Sequence, residues 1–152
     1  MRQIFDVDFQ LANGQWQEEP VVFAFNHWLA KRLKSGGVTL GFTVALAHSP
    51  YDGDPTNTAA VVYCHELGHV FQRVRRGFLG YWAMVLANLV FHRSHATRPM
   101  EREADRIGGQ IFAQDPTSPV LPGKDFYDFL ARSAGYTKPD LATLVVRTVA
   151  AV

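Results

Sequence analysis

The sequence predicts a single α+β domain over residues 1–152, mostly helical, with a small sheet packed on one central helix. Three observations predict it. Residues 4–11 alternate between apolar and polar, residues 38–47 are rich in β-formers, and other apolar stretches repeat at helical spacing between Pro and Gly stops. A chain of 152 residues is long enough to bury its own core. With 47% hydrophobic residues, 19% charged residues and a formal net charge of +1, the composition is that of an ordinary soluble globular protein. The near-neutral balance argues against nucleic acid as a partner.

In the first stretch, Phe5, Val7, Phe9 and Leu11 face one way and Asp6, Asp8 and Gln10 the other. A half-buried strand is expected, ended by the Asn13-Gly14 turn. From about Glu19 the spacing turns helical. Pro20 suits a first turn, Val21, Phe25, Trp28 and Leu29 form an apolar stripe, and Gly36-Gly37 stops it. His27 in this helix reads as a structural or surface histidine. Residues 38–47 read as one strand. The turn-rich residues 49–55 lack a calcium-loop pattern, so Asp52 reads as turn chemistry and Asp54 as a helix cap.

The next helix should run from Thr56 or Thr58 to Arg76, with Gly77 as its stop. Residues 78–91 are mostly apolar, with Asn88 inside, and fall short of the ~20 residues that a spanning helix needs. Arg73, Arg75, Arg76 and Arg93 would allow contact with a membrane surface, but a buried core helix is the preferred reading. A polar connection, residues 92–98, leads to a helix opened by Pro99 and running to about 114. After a Pro- and Ser-rich loop to Gly123, two short helices are expected near 125–134 and 138–150.

The chemistry-bearing stretch is Cys64-His65-Glu66-Leu67-Gly68-His69-Val70. Residues four apart share one helix face, so His65 and His69 can offer ring nitrogens to one Zn2+ ion. Glu66 can then reach a water on that metal and take its proton. Cys64, the only cysteine, rules out an intrachain disulfide and reads as core packing rather than as a ligand.

A catalytic zinc usually takes three protein ligands and one water. A metzincin-type third histidine fails, because Gln72 and Arg75 hold the positions of its glycine and histidine. His92 or His95 could reach the metal from a loop. The preferred third ligand is Glu101, in Glu101-Arg102-Glu103-Ala104-Asp105, 32 positions after His69. Asp105, four residues on, shares its face and can accept a hydrogen bond from the far nitrogen of a liganding histidine. Glu103 should face elsewhere. The small residues Ala104, Gly108 and Gly109 would let this helix pack closely on the motif helix.

His65-Glu66-x-x-His69 followed by Glu101-x-x-x-Asp105 resembles the gluzincin clan of zinc metallopeptidases. Glu101-Arg102-Glu103-Ala104-Asp105-Arg106 is similar to a segment of the heat-shock and prenyl-protein membrane metallopeptidases and of the small minigluzincins. The ImmA/IrrE type, which cleaves phage repressors, shares a like pairing and is the runner-up. The resemblance covers residues 20–113 in the order helix, strand, motif helix, glutamate helix, and implies a zincin-like fold. It also implies that the strand before the motif helix offers its edge, including Thr43, Val44 and Ala45, to an extended protein or peptide substrate. The expected activity is that of a zinc-dependent endopeptidase with Glu66 as general base. The alternative is a zinc-containing regulatory or partner-binding module of the same fold. Oxyanion donors are sought among His92, His95, Tyr81 and the arginines, with His92 or His95 preferred. Acids near the start, in place of an apolar signal core, predict a cytoplasmic protein.

Overall fold

A computed structural model describes residues 1–49, 58–92, 94–133 and 136–138. The fold is α+β, with a five-stranded sheet covered on one face by helices. The strands are β1 (Arg2–Gln10), β2 (Trp16–Ala24), β3 (Gly37–Leu40), β4 (Thr43–Leu46) and β5 (Val120–Pro122). Their order is β3-β4-β2-β1-β5, with only the β2–β4 pair parallel.

β1 alternates as expected, burying Phe5, Val7 and Phe9. The Asn13-Gly14 turn then folds β2 back onto β1 as a hairpin, with Gly14 at φ 84° and Asn13 Oδ1 accepting from Gln15 N. This corrects the helix expected from about Glu19. Val21 and Phe23 sit two apart, so they also satisfy a strand face, and pairing along all nine residues of β1 decides for the strand. Only α1 (Trp28–Arg32) is helical here, and His27 caps it by accepting from Leu29 N through Nδ1. The strand expected over residues 38–47 is a hairpin instead. Gly41, at φ 68°, turns β3 back along β4.

α2 (Thr58–Phe91) packs its first part across the sheet. Tyr63, Cys64, Leu67, Val70 and Phe71 join the strand residues in one core. Gly77 interrupts α2 with φ 69° and ψ 177°, where the sequence placed the stop. The part beyond it, residues 78–91, corrects a second expectation. It is no core helix, since Phe78, Leu79, Trp82, Leu86, Leu89, Val90 and Phe91 are exposed. Only Tyr81 and Asn88 on it are fully buried. Among the described residues no helix is long and apolar enough to cross a membrane.

A 3₁₀ turn (His95–Thr97) interrupts the polar connection, and α3 (Pro99–Phe112) then runs back along α2. The packing is close because a side chain at Gly68 would meet the Ala104 backbone at 2.7 Å, and one at Gly108 the His65 backbone at 2.8 Å. Gly109, with nothing within 4 Å of an added methyl, takes no part in the approach. The loop after α3 contains β5, unforeseen in the sequence, paired to β1. α4 (Lys124–Ser133) closes the core with Phe126, Phe129 and Leu130. The turn read at Asp52, the cap read at Asp54 and most of the last helix near 138–150 lie outside the described residues.

Candidate metal centre

The first part of α2 and the start of α3 carry the site. His65 and His69, one turn apart, project from α2 toward Glu101 in the first turn of α3. The two Nε2 atoms lie 3.1 Å apart, and each is 3.4 Å from Glu101 Oε2. A tetrahedron with bonds of about 2.0–2.1 Å has edges of about 3.3–3.4 Å, so the three atoms are spaced like three corners around one zinc.

The hydrogen bonds around the site fix the tautomers. His65 Nδ1 lies 2.7 Å from Asp105 Oδ1, and His69 Nδ1 lies 3.0 Å from Gln72 Oε1. The Gln72 amide cannot be reversed, because its Nε2 donates to Met100 O and to Glu103 Oε2. Both Nδ1 atoms therefore carry hydrogens and donate, leaving lone pairs on both Nε2 atoms. Three acceptors, two nitrogens and a carboxylate oxygen, then converge with no donor between them. Glu101 Oε2 is buried with no hydrogen-bond partner. Such an oxygen costs stability unless a cation satisfies it. The donor set of two imidazoles and a carboxylate suits zinc.

The electrostatics agree. Burial alone would raise the Glu101 carboxyl, but a proton taken up on the facing His65 or His69 imidazole in place of a metal, aided by His95, holds it well below the usual carboxylate range. Burial alone would lower His65, yet the Glu101, Glu66 and Asp105 carboxylates outweigh it and raise its pKa. This is a site already arranged for positive charge.

Glu66 is buried beneath β3. Its Oε2 accepts from Thr39 Oγ1 at 2.6 Å, and Gly37 lets the strand come close, since a side chain there would meet Glu66 at 2.7 Å. Gly37 and Thr39, two apart, share the strand face that meets the motif helix. His95 Nε2 stands 3.3 Å from Glu101 Oε1 with its ring largely exposed. His92 makes no such contact among the described residues, so of the two histidines only His95 joins the site. Tyr81 is buried, and burial together with the charges of Glu66 and Glu101 pushes its phenol up to about 12, keeping it a proton donor. Cys64 is sealed in the core, where burial holds it as a thiol, and is no ligand.

Thr43, Val44 and Ala45 correct the expected substrate edge. They lie on β4, which pairs with β2 on one side and β3 on the other. Among the described residues, the free edge of the sheet beside the motif helix belongs to β3. Two contributors went unnoticed in the sequence, Gln72 and Thr39. Gln72 had a local signal, a buried amide three residues after His69 on the same face. Thr39 had none, because its contact with Glu66 spans 27 residues. No family model, curated protein or solved structure matches this chain.

Proposed function

We propose that this chain is a zinc-dependent endopeptidase of gluzincin type on a zincin-like fold, with His65, His69 and Glu101 as metal ligands. The observation that carries this reading is the convergence of three lone-pair donors whose distal hydrogen bonds are already committed. Zinc bound there would polarise a peptide carbonyl and bring the pKa of a bound water toward ~7.

The chain's own groups would do the rest. With Oε2 held by Thr39, Glu66 Oε1 is the oxygen to take the proton of the attacking water and pass it to the leaving amine. His95, beside Glu101, would donate to the oxyanion, with the buried Tyr81 phenol as a second donor. An extended peptide would add to the sheet along the outer edge of β3, next to Glu66.

Elemental analysis of protein purified without added metal tests the site, and hydrolysis of a peptide library tests the reaction. About one zinc per chain is expected, sharply reduced in Glu101→Ala. Glu66→Gln should keep the zinc and lose hydrolysis. Zinc without any Glu66-dependent cleavage would favour a partner-binding module, and absence of metal would end both readings.

A further inference from the structure

The helix of residues 78–91 is built inside out for one facing water. None of its residues is charged, and its one amide side chain, Asn88, points inward. There Asn88 Nδ2 donates to Met84 O, and Oδ1 accepts from Met100 N at the start of α3. The side turned away from α3 is apolar, with Leu79 80%, Leu86 63%, Val90 65% and Phe91 78% exposed. A continuous apolar surface of this kind marks a binding face.

Charge indicates what covers it. The chain as a whole is nearly neutral, yet residues 73–106 hold seven arginines against three acids. Those three acids are engaged, Glu101 and Asp105 at the metal centre and Glu103 with Arg76. Outside this segment acids outnumber bases, eleven to eight. The uncharged helix thus sits, along the sequence, within the most basic segment of the chain. Beneath it, a cavity of about 430 Å³ combines Met84 and Met100 with Arg76 and Arg106, Glu103 also lining it. Apolar walls beside guanidinium groups suit a phosphate-bearing head and its first methylenes. At ~21 Å for fourteen residues the helix cannot cross a ~30 Å hydrocarbon layer, so it must lie along the surface.

We propose that residues 78–91 dock this protein into the interface of an anionic lipid bilayer, with the neighbouring arginines facing the head groups. Co-sedimentation with vesicles of phosphatidylcholine, alone or mixed with phosphatidylglycerol, tests this. Binding should require the anionic lipid and weaken with added salt. Leu79→Glu with Leu86→Glu should lower the partition coefficient about tenfold or more without lowering the melting temperature, because both side chains are exposed. If that pair melts early, Phe91→Glu at the helix end serves instead. In a Trp16→Phe, Trp28→Phe background, Trp82 emission should shift to the blue when vesicles are added.

Failure to bind either vesicle overturns the proposal, as does binding that these substitutions leave unchanged. A concentration-dependent dimer, abolished by the same substitutions and indifferent to lipid, overturns it in favour of a second copy of the chain. Glu66→Gln and metal-free protein should bind vesicles like wild type, so this test and the peptidase test fail separately.

Discussion

Gln72 Oε1 accepts from His69 Nδ1 at 3.0 Å, and this one contact decides which nitrogen of His69 is left for a metal. The amide is fully buried and held by Met100 O and Glu103, which in turn binds Arg76. Gln72→Leu should therefore lower zinc affinity by about 10- to 100-fold in a chelator competition, as loss of a partner behind a liganding histidine typically does. Gln72→Glu would not rescue it, because the second carboxylate oxygen would face Met100 O and Glu103 Oε2, both acceptors. Equal affinity in wild type and Gln72→Leu would remove Gln72 from the site.

In the proposed mechanism Thr39 acts on Glu66, the base, rather than on the metal ligands. Its hydroxyl donates to Glu66 Oε2 at 2.6 Å, and also lies 3.2 Å from Glu66 O. If hydrolysis depends on Glu66, Thr39→Val should lower kcat by about tenfold, the worth of one hydrogen bond to a charged group. Zinc content should not change, and Thr39→Ser should recover most of the rate. A Thr39→Val variant with hydrolysis undiminished would make the contact merely structural.

The contrast between these residues shows what local sequence carries. His65, Glu66, His69, Glu101 and Asp105 sit at helical spacings, so their shared faces follow from the period alone. The Gly77 break and the close approach at Gly108 follow from residue type. By contrast, β2 could not be separated from a helix by its apolar pattern, because Val21 and Phe25 fit both periods until β1 supplies a partner. β5 has three residues and exists only through pairing with β1, more than a hundred positions away. Residues 78–91 are as apolar as a core helix. Their exposure depends on how little of the rest of the described chain reaches them, which composition cannot state.

Gly108 and Gly109 make a paired test of how the two helices that carry the candidate ligands meet. In an ordinary helix interior, Gly→Ala stabilises by about 0.5–1 kcal/mol. At Gly109 the added methyl meets nothing within 4 Å, so that gain should appear in denaturant melts. At Gly108 the methyl would sit 2.8 Å from His65 Cα and 2.9 Å from His65 N, both backbone atoms that cannot swing aside. Gly108→Ala should instead cost about 1–3 kcal/mol. It should also weaken zinc binding, because it displaces His65 itself. Similar melts for the two variants would mean that α2 and α3 are farther apart in solution.

The core on the other side of α3 predicts a dependence on alkaline pH. Tyr127 Oη donates to Ile111 O at 2.7 Å, and burial, aided by Cys64 and Tyr136, raises its pKa far above the ordinary phenol. The folded state thus keeps a proton that the unfolded chain releases near pH ~10. Its contribution to stability is complete below that pH and is lost as pH rises beyond it. Tyr127→Phe leaves Ile111 O without this donor and should cost ~1 kcal/mol at neutral pH. The variant no longer has that ionisation to resist. Its deficit against wild type should therefore hold from about pH 7 to about pH 10, then shrink and reverse by about pH 11, in urea titrations at matched ionic strength. A deficit constant to about pH 11 would mean that the Tyr127 phenol ionises as readily in the fold as in the unfolded chain, and would overturn the shift.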